Sequence, residues 1–120
     1  LDGFNAKIND VRFSPNGQRL VVGTDSGRVH LFIIRGSEVA PETIFQSPAA
    51  NVFSLSFSPD GELLVLGGDK VYVFAVDDRR FTLLETHSQT TEGVHATAFS
   101  PALLVAGGWD GRVQLYRQNR

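Results

Sequence analysis

Three stretches of this chain repeat one pattern of residues, and that repeat limits the fold more than any single residue does. The first runs Ile8-Asn-Asp-Val-Arg-Phe-Ser-Pro15, then Leu20-Val-Val-Gly23, then Asp25-Ser-Gly-Arg-Val-His-Leu-Phe32. The second runs Val52-Phe-Ser-Leu-Ser-Phe-Ser-Pro59, Leu64-Val-Leu-Gly67 and Asp69-Lys-Val-Tyr-Val-Phe74. The third runs Val94-His-Ala-Thr-Ala-Phe-Ser-Pro101, Leu104-Val-Ala-Gly107 and Asp110-Gly-Arg-Val-Gln-Leu-Tyr116. The Phe of Phe-Ser-Pro falls at 13, 57 and 99, so the spacing is 44 and then 42 residues. Such a chain builds one supersecondary unit per repeat, and each unit buries its apolar faces against the next.

Each unit reads as a run of short strands. The first strand ends at Phe-Ser-Pro, where Pro removes a ladder donor. Asn16-Gly17 and Asp60-Gly61 follow as turns with positive φ, and Pro101-Ala102 replaces them in a shorter third turn. A second strand covers Arg19 to Val22, Leu63 to Leu66 and Leu103 to Ala106; its near-continuous apolar run predicts burial on both faces. A Gly closes each run, a turn with an Asp comes next, and a third strand alternates through Val29 and Leu31, Val71 and Val73, Val113 and Leu115. Glu42 to Gln46 and Phe81 to Thr86 read as a weaker fourth strand after the first two units. No segment carries a 3.6-residue period, so the chain reads as all-β, and units of this length with several strands each predict β-propeller blades.

Composition bounds the function. Apolar residues make up 42% of 120, with nine Phe, which supplies a core. A net charge of −2 gives no expectation of nucleic acid as a partner. No apolar run reaches the roughly 18–20 residues of a transmembrane helix, and no signal-peptide pattern is present, so no membrane insertion is expected. Zero Cys excludes disulfides and thiolate metal sites and fits a reducing, intracellular and cytoplasmic setting. Zero Met leads to the expectation that the chain is a part of something longer.

Phe-Ser-Pro-Asp-Gly together with the recurring Asp turn resembles the WD-repeat β-propeller family over essentially the whole chain. The resemblance implies three consecutive WD-type blades, each a four-stranded antiparallel sheet, forming part of a propeller over residues 1–120. The units fall at about 4–46, 50–86 and 92–120, the last without its outer strand. The family's Gly-His dipeptide is replaced by Gly3-Phe4 in the first unit. Its Trp-Asp is replaced by Phe32-Ile33, Phe74-Ala75 and Tyr116-Arg117. The family's blade network of His, Ser/Thr, Asp and Trp therefore keeps only its Asp, and hydrophobic packing is expected to hold the blades. A closed ring takes roughly 4 to 8 blades, so a segment of a larger propeller is expected, with its remaining blades on the same or another chain. The alternative is a half-propeller that completes its ring by pairing with itself or with another chain.

Candidate sites follow from this frame. Asp25, Asp69 and Asp110 occupy equivalent turns, where Asp accepts backbone N–H bonds, so they read as structural rather than as a metal cluster. His30, His87 and His95 make neither a zinc set nor a triad, and no catalytic residue, metal or cofactor is expected. Asp77-Asp78-Arg79-Arg80-Phe81 has the Arg pair and aromatic of a phosphoinositide site, neutralised by the two Asp. On the rim of second-to-third strand turns, Trp109, Arg28, Lys70 and Arg112 are candidate partner contacts. They are joined there by Lys7, Asn9, Phe53 and His95 near the starts of first strands. The family resemblance implies a non-catalytic scaffold for protein–protein interaction, a subunit of a multiprotein assembly.

Overall fold

The computed structural model describes residues 4–77, 80–87, 93–100, 103–108 and 112–117, and of His95 the backbone alone. All regular structure among these residues is strand. The first sheet holds β1 (Ile8–Phe13), β2 (Arg19–Thr24), β3 (Arg28–Arg35) and β4 (Glu38–Gln46). The second holds β5 (Ser54–Phe57), β6 (Leu63–Gly67), β7 (Val71–Asp77) and β8 (Arg80–His87), and the third β9 (Val94–Phe99), β10 (Leu103–Gly108) and β11 (Val113–Arg117). Strands are antiparallel to their chain neighbours and ordered as they come in sequence. Each sheet is thus an up-and-down meander, and the same pattern of residues has produced the same first three strands three times, followed by a fourth in the first two sheets.

The turn after Phe-Ser-Pro explains the motif. Ser14 Oγ donates to Asn16 Oδ1 at 2.7 Å and accepts the Arg19 N–H at 3.0 Å. Asn16 Oδ1 also accepts from the Gln18 N–H at 2.9 Å. Ser58 and Asp60 repeat these bonds with Leu63 and Glu62, and Ser100 Oγ accepts from the Leu103 N–H in the third sheet. Positive φ is carried by Gly17 and Gly61 alone (72° and 76°), not by the Asn or Asp before them. A serine hydroxyl buried in the turn therefore fixes the β1–β2 corner, and the Gly relieves the backbone.

Faces pack as repeat architecture demands. Val21, Val29 and Leu31 of the first sheet meet Leu55, Leu64, Leu66, Tyr72 and Phe74 of the second. Leu63, Val65, Val71 and Val73 on its other face meet Val94, Leu104 and Ala106 of the third. Each fully buried Val or Leu contributes about 1.5–3 kcal/mol, so these two seams hold the sheets together. The outermost seam is aromatic: Phe45 of β4 stacks on Phe81 of β8 with centroids 4.4 Å apart, and meets Phe74 edge-on.

The fourth strands are longer than the sequence predicts. β4 begins at Glu38 and runs through Pro41, and β8 runs from Arg80 to His87. Pro41 hides the strand in the sequence, yet it stands on an outer edge beside a bulge, where the missing donor costs little. In both sheets the bulge falls at the same place. Leu31 pairs Thr43 and Phe32 pairs Pro41, leaving Glu42 extra; Val73 pairs Glu85 and Phe74 pairs Leu83, leaving Leu84 extra.

Candidate interaction face and inner-strand joint

A second recurring bulge builds the candidate face. In β1, Ile8 pairs Thr24 and Asp10 pairs Gly23, so Asn9 is the extra residue. In β9, Val94 pairs Gly108 and Ala96 pairs Gly107, so His95 is extra. Phe53 holds the same position before β5. The three positions all fall where the strand enters the sheet, at the end shared with the β2–β3 turns, and two of them are bulges, which change a strand's local course. Around them lie the exposed Lys7, Arg28, Lys70 and Arg112. Trp109 and Asp110 lie outside the described residues, as does the His95 side chain.

The two described turn carboxylates are engaged. Asp25 Oδ1 accepts the Lys7 N–H at 3.2 Å while its own N–H donates to the Lys7 carbonyl at 2.9 Å, which ties the start of β1 to the β2–β3 turn. Asp69 Oδ1 accepts from Tyr72 Oη at 2.8 Å. Burial, and then this carboxylate, push the Tyr72 phenol up to about 12. His30, behind the same rim, packs edge-on against Phe4 with centroids 4.8 Å apart. Burial, and then the Arg28 charge, lower its pKa.

Sequence reasoning missed the residues that join the sheets at their inner strands. Asp10 Oδ2 crosses to the next sheet and accepts the Leu55 N–H at 2.8 Å, while Oδ1 accepts the Val11 N–H at 2.9 Å and Arg12 Nε stands 3.3 Å from Oδ2. Asn9 Nδ2 donates to the Val52 carbonyl at 2.9 Å across the same joint. At the next joint Ser56 Oγ donates to the Thr97 carbonyl at 2.8 Å and lies 3.0 Å from its hydroxyl. Arg12 and Ser56 thus belong to a polar seam between blades. The signal was present as Asp10 alternating with Val11 on a first strand, but the partner is a backbone group 45 residues away.

The opposite rim holds a cleft of about 500 Å³ between the two serine turns, lined by Pro15, Arg19, Pro59, Asp60, Glu62 and Asp77 among others. Of the charged stretch at 77–81, Asp78 and Arg79 lie outside the described residues. Asp77 pairs Arg80 at the hairpin end, and Phe81 is spent on Phe45. Among the described residues no three His, Asp or Glu gather as metal ligands. No helix there is long and apolar enough to cross a membrane.

Sheets of this kind, packed face to face around a common inner edge, define a β-propeller arc. Solved structures agree on the fold. The chain superposes on a putative 6-phosphogluconolactonase from Bacteroides uniformis with a TM-score of 0.84 and 21% identity, over 99% of this chain and 38% of that one. On U3-55K the TM-score is 0.84 at 15% identity, over 98% of this chain and 38% of that one. For the Myceliophteria thermophila Cps50 (Swd1) β-propeller domain it is 0.76 at 19%, over 93% and 41%. At these identities the likeness concerns the fold alone. Residues 1–32 and 40–71 match the family described as WD domain, G-beta repeat, and the chain belongs to that family. Among curated relatives, rat serine-threonine kinase receptor-associated protein is 30% identical over 118 residues, 95% of this chain and 32% of that protein. The human U3 small nucleolar RNA-associated protein 4 homolog is 34% identical over 77 residues, 63% of this chain and 11% of that protein. The chain spans a third or less of both.

Proposed function

We propose that this chain is a non-catalytic platform for protein–protein contacts within a multiprotein assembly, its end faces taken up by further blades of the same or another chain. The observation that carries the reading is the rim itself. Lys7, Arg28, Lys70 and Arg112 stand exposed around bulge residues that differ from unit to unit, on turns held by buried cores. A rigid, varied surface binds with little ordering cost, and its exposed cations favour a protein segment bearing carboxylates. The names of the relatives, a receptor-associated protein and an RNA-associated protein, support a role in assemblies. Inner-strand polar groups support a non-catalytic reading, since Asp10 and Ser56 are spent on the blade joints. The lack of Cys accords with an intracellular setting.

The test is a triple charge reversal, Lys7→Glu, Arg28→Glu and Lys70→Glu, all at exposed positions. Quantitative affinity capture from the source cells compares it with the parent chain, with far-UV circular dichroism as the control for folding. The reading expects a defined set of proteins to be lost from the variant while the spectrum stays unchanged. An identical set captured in equal amounts by both chains contradicts it.

A further inference from the structure

Asn16 is the one Asn of this chain that precedes a Gly, and the pair forms the tip of the first serine corner. Deamidation starts at such a pair, because a following residue without Cβ leaves its backbone nitrogen open to the Asn side chain. Asn16 and Gly17 are exposed, and a Cβ at Gly17 would meet nothing within 4 Å, so water reaches both. Asp60 holds the same place in the blade flanked on both sides, and it is exposed too. The exposure thus belongs to the corner itself.

The corner engages every group that the reaction needs. The Gly17 N–H, the source of the nucleophile, donates to the Ser14 carbonyl at 2.9 Å. Asn16 Oδ1 accepts from Ser14 Oγ at 2.7 Å and from the Gln18 N–H at 2.9 Å. Nδ2, the leaving nitrogen, lies 3.4 Å from Gln18 Oε1. Reaction requires Gly17 to give up its bond and the Asn16 amide to turn out of its own, and each bond lost raises the barrier. In the second blade Asp60 Oδ1 takes the same two bonds, from Ser58 Oγ at 2.6 Å and from the Glu62 N–H at 2.9 Å. The Gly61 N–H donates to the Ser58 carbonyl at 2.9 Å, as Gly17 does to Ser14. A carboxylate therefore fits this corner as an amide does.

We propose that Asn16 is a site of hydrolytic deamidation, held back by the folded corner, whose aspartyl product restores a corner like that of Asp60. The Gly17 backbone nitrogen attacks Asn16 Cγ; the new N–C bond forms, the Cγ–Nδ2 bond breaks, and ammonia leaves with the Gly17 proton. Water then opens the cyclic imide. Attack at Cγ returns the ordinary main chain with Asp in place of Asn16, and its Oδ1 accepts the same two bonds. Attack at the main-chain carbonyl leaves an isoaspartyl link, which lengthens the backbone by a carbon and displaces the acceptor that Ser14 and Gln18 share. Either product adds a negative charge to the cleft where Asn16 lies with Asp60, Glu62 and Asp77. This rim is opposite the candidate interaction face, so the site stands independently of what binds there.

The experiment holds the 120-residue chain at neutral pH in buffer and in denaturing urea. Peptide mass follows the change of Asn16, chromatography separates aspartyl from isoaspartyl peptides, and far-UV circular dichroism monitors folding. Asn16 is expected to deamidate in urea and to do so roughly tenfold or more slowly in buffer. Ser14→Ala, which removes a donor to Oδ1, should raise the rate in buffer roughly threefold or more. Ser58→Ala, which opens the equivalent corner one blade away, should leave it unchanged. Asn16→Asp should unfold at the same urea concentration as the parent. Equal rates in buffer and urea, or equal acceleration by the two serine variants, overturn the gating. An intact Asn16 in urea overturns the site, and an Asn16→Asp chain as destabilised as Ser14→Ala overturns the restored corner. Should Ser14→Ala fail to fold, the comparison of buffer with urea decides alone.

Discussion

Asp10 binds more of the molecule together than any charged residue the sequence singles out. One carboxylate oxygen holds the Val11 N–H of its own strand and the other the Leu55 N–H of the next blade. Hydrogen bonds to charged groups contribute about 1.5–3 kcal/mol, and removing one partner leaves the other unsatisfied. Asp10→Ala is therefore expected to cost about 2 kcal/mol in urea denaturation, and Asp10→Asn, which keeps an acceptor, less. Equal stability of Asp10→Ala and the parent would count against the joint. Tyr72 makes a pH-dependent contribution. Its pKa rises from 10.0 to about 12, by burial and then by the Asp69 carboxylate. Between those values the folded state keeps a proton that the unfolded chain has released. The stabilisation is complete below pH 10 and is lost as pH rises through about 12. Tyr72→Phe should flatten the fall in melting temperature over that range. Some slope remains, because burial raises the Tyr116 pKa as well. An unchanged slope contradicts the assignment. None of this was legible in the sequence, where Asp10 and Tyr72 are ordinary strand residues; their partners are set by how sheets meet.

At the scale of the element, legibility was high where one chemical cause acts locally. The second and third strands follow from apolar runs and alternation. The Ser-Pro corner recurs because one hydroxyl satisfies the turn. Legibility failed at β4, where Pro41 marks an end in a propensity reading but sits on an outer edge, and at the bulges, whose register depends on two strands at once. The candidate face was half legible: the sequence named the variable residues at the first-strand starts but not the bulges at Asn9 and His95, nor the bond that commits Asn9 to Val52. Glycine supplies the matched test. Gly67 and Gly107 are the same strand position, yet a Cβ at Gly67 meets Ser54 Oγ at 2.5 Å and the Val94 carbonyl at 2.8 Å, and at Gly107 it meets nothing closer than 3.8 Å among the described residues. Gly67→Ala is expected to destabilise by about 1–3 kcal/mol through overpacking. Gly107→Ala should be neutral or stabilising by up to about 1 kcal/mol, because it restrains the unfolded chain. Chemical denaturation of the pair measures the difference, and equal losses would deny the close approach at Gly67.

Among the described residues, the chain forms an arc whose middle blade is covered on both faces and whose other two are each covered on one. Repeat architectures derive their stability from each unit plus its contacts with neighbours, so stability should not be uniform along the chain. All five residues of β6 are buried, whereas Val113 and Leu115 of β11 and Val11 and Phe13 of β1 face outward. Opening free energies reported by amide exchange follow such differences in burial. Residue-resolved hydrogen exchange of the 120-residue chain under conditions that keep it monomeric is the most direct test. The account predicts that amides of β6 and β7 exchange at least tenfold more slowly, about 1.4 kcal/mol, than those of β1 and β11. Equal protection across the three sheets, or slowest exchange in an end sheet, would contradict the stacked-blade arrangement.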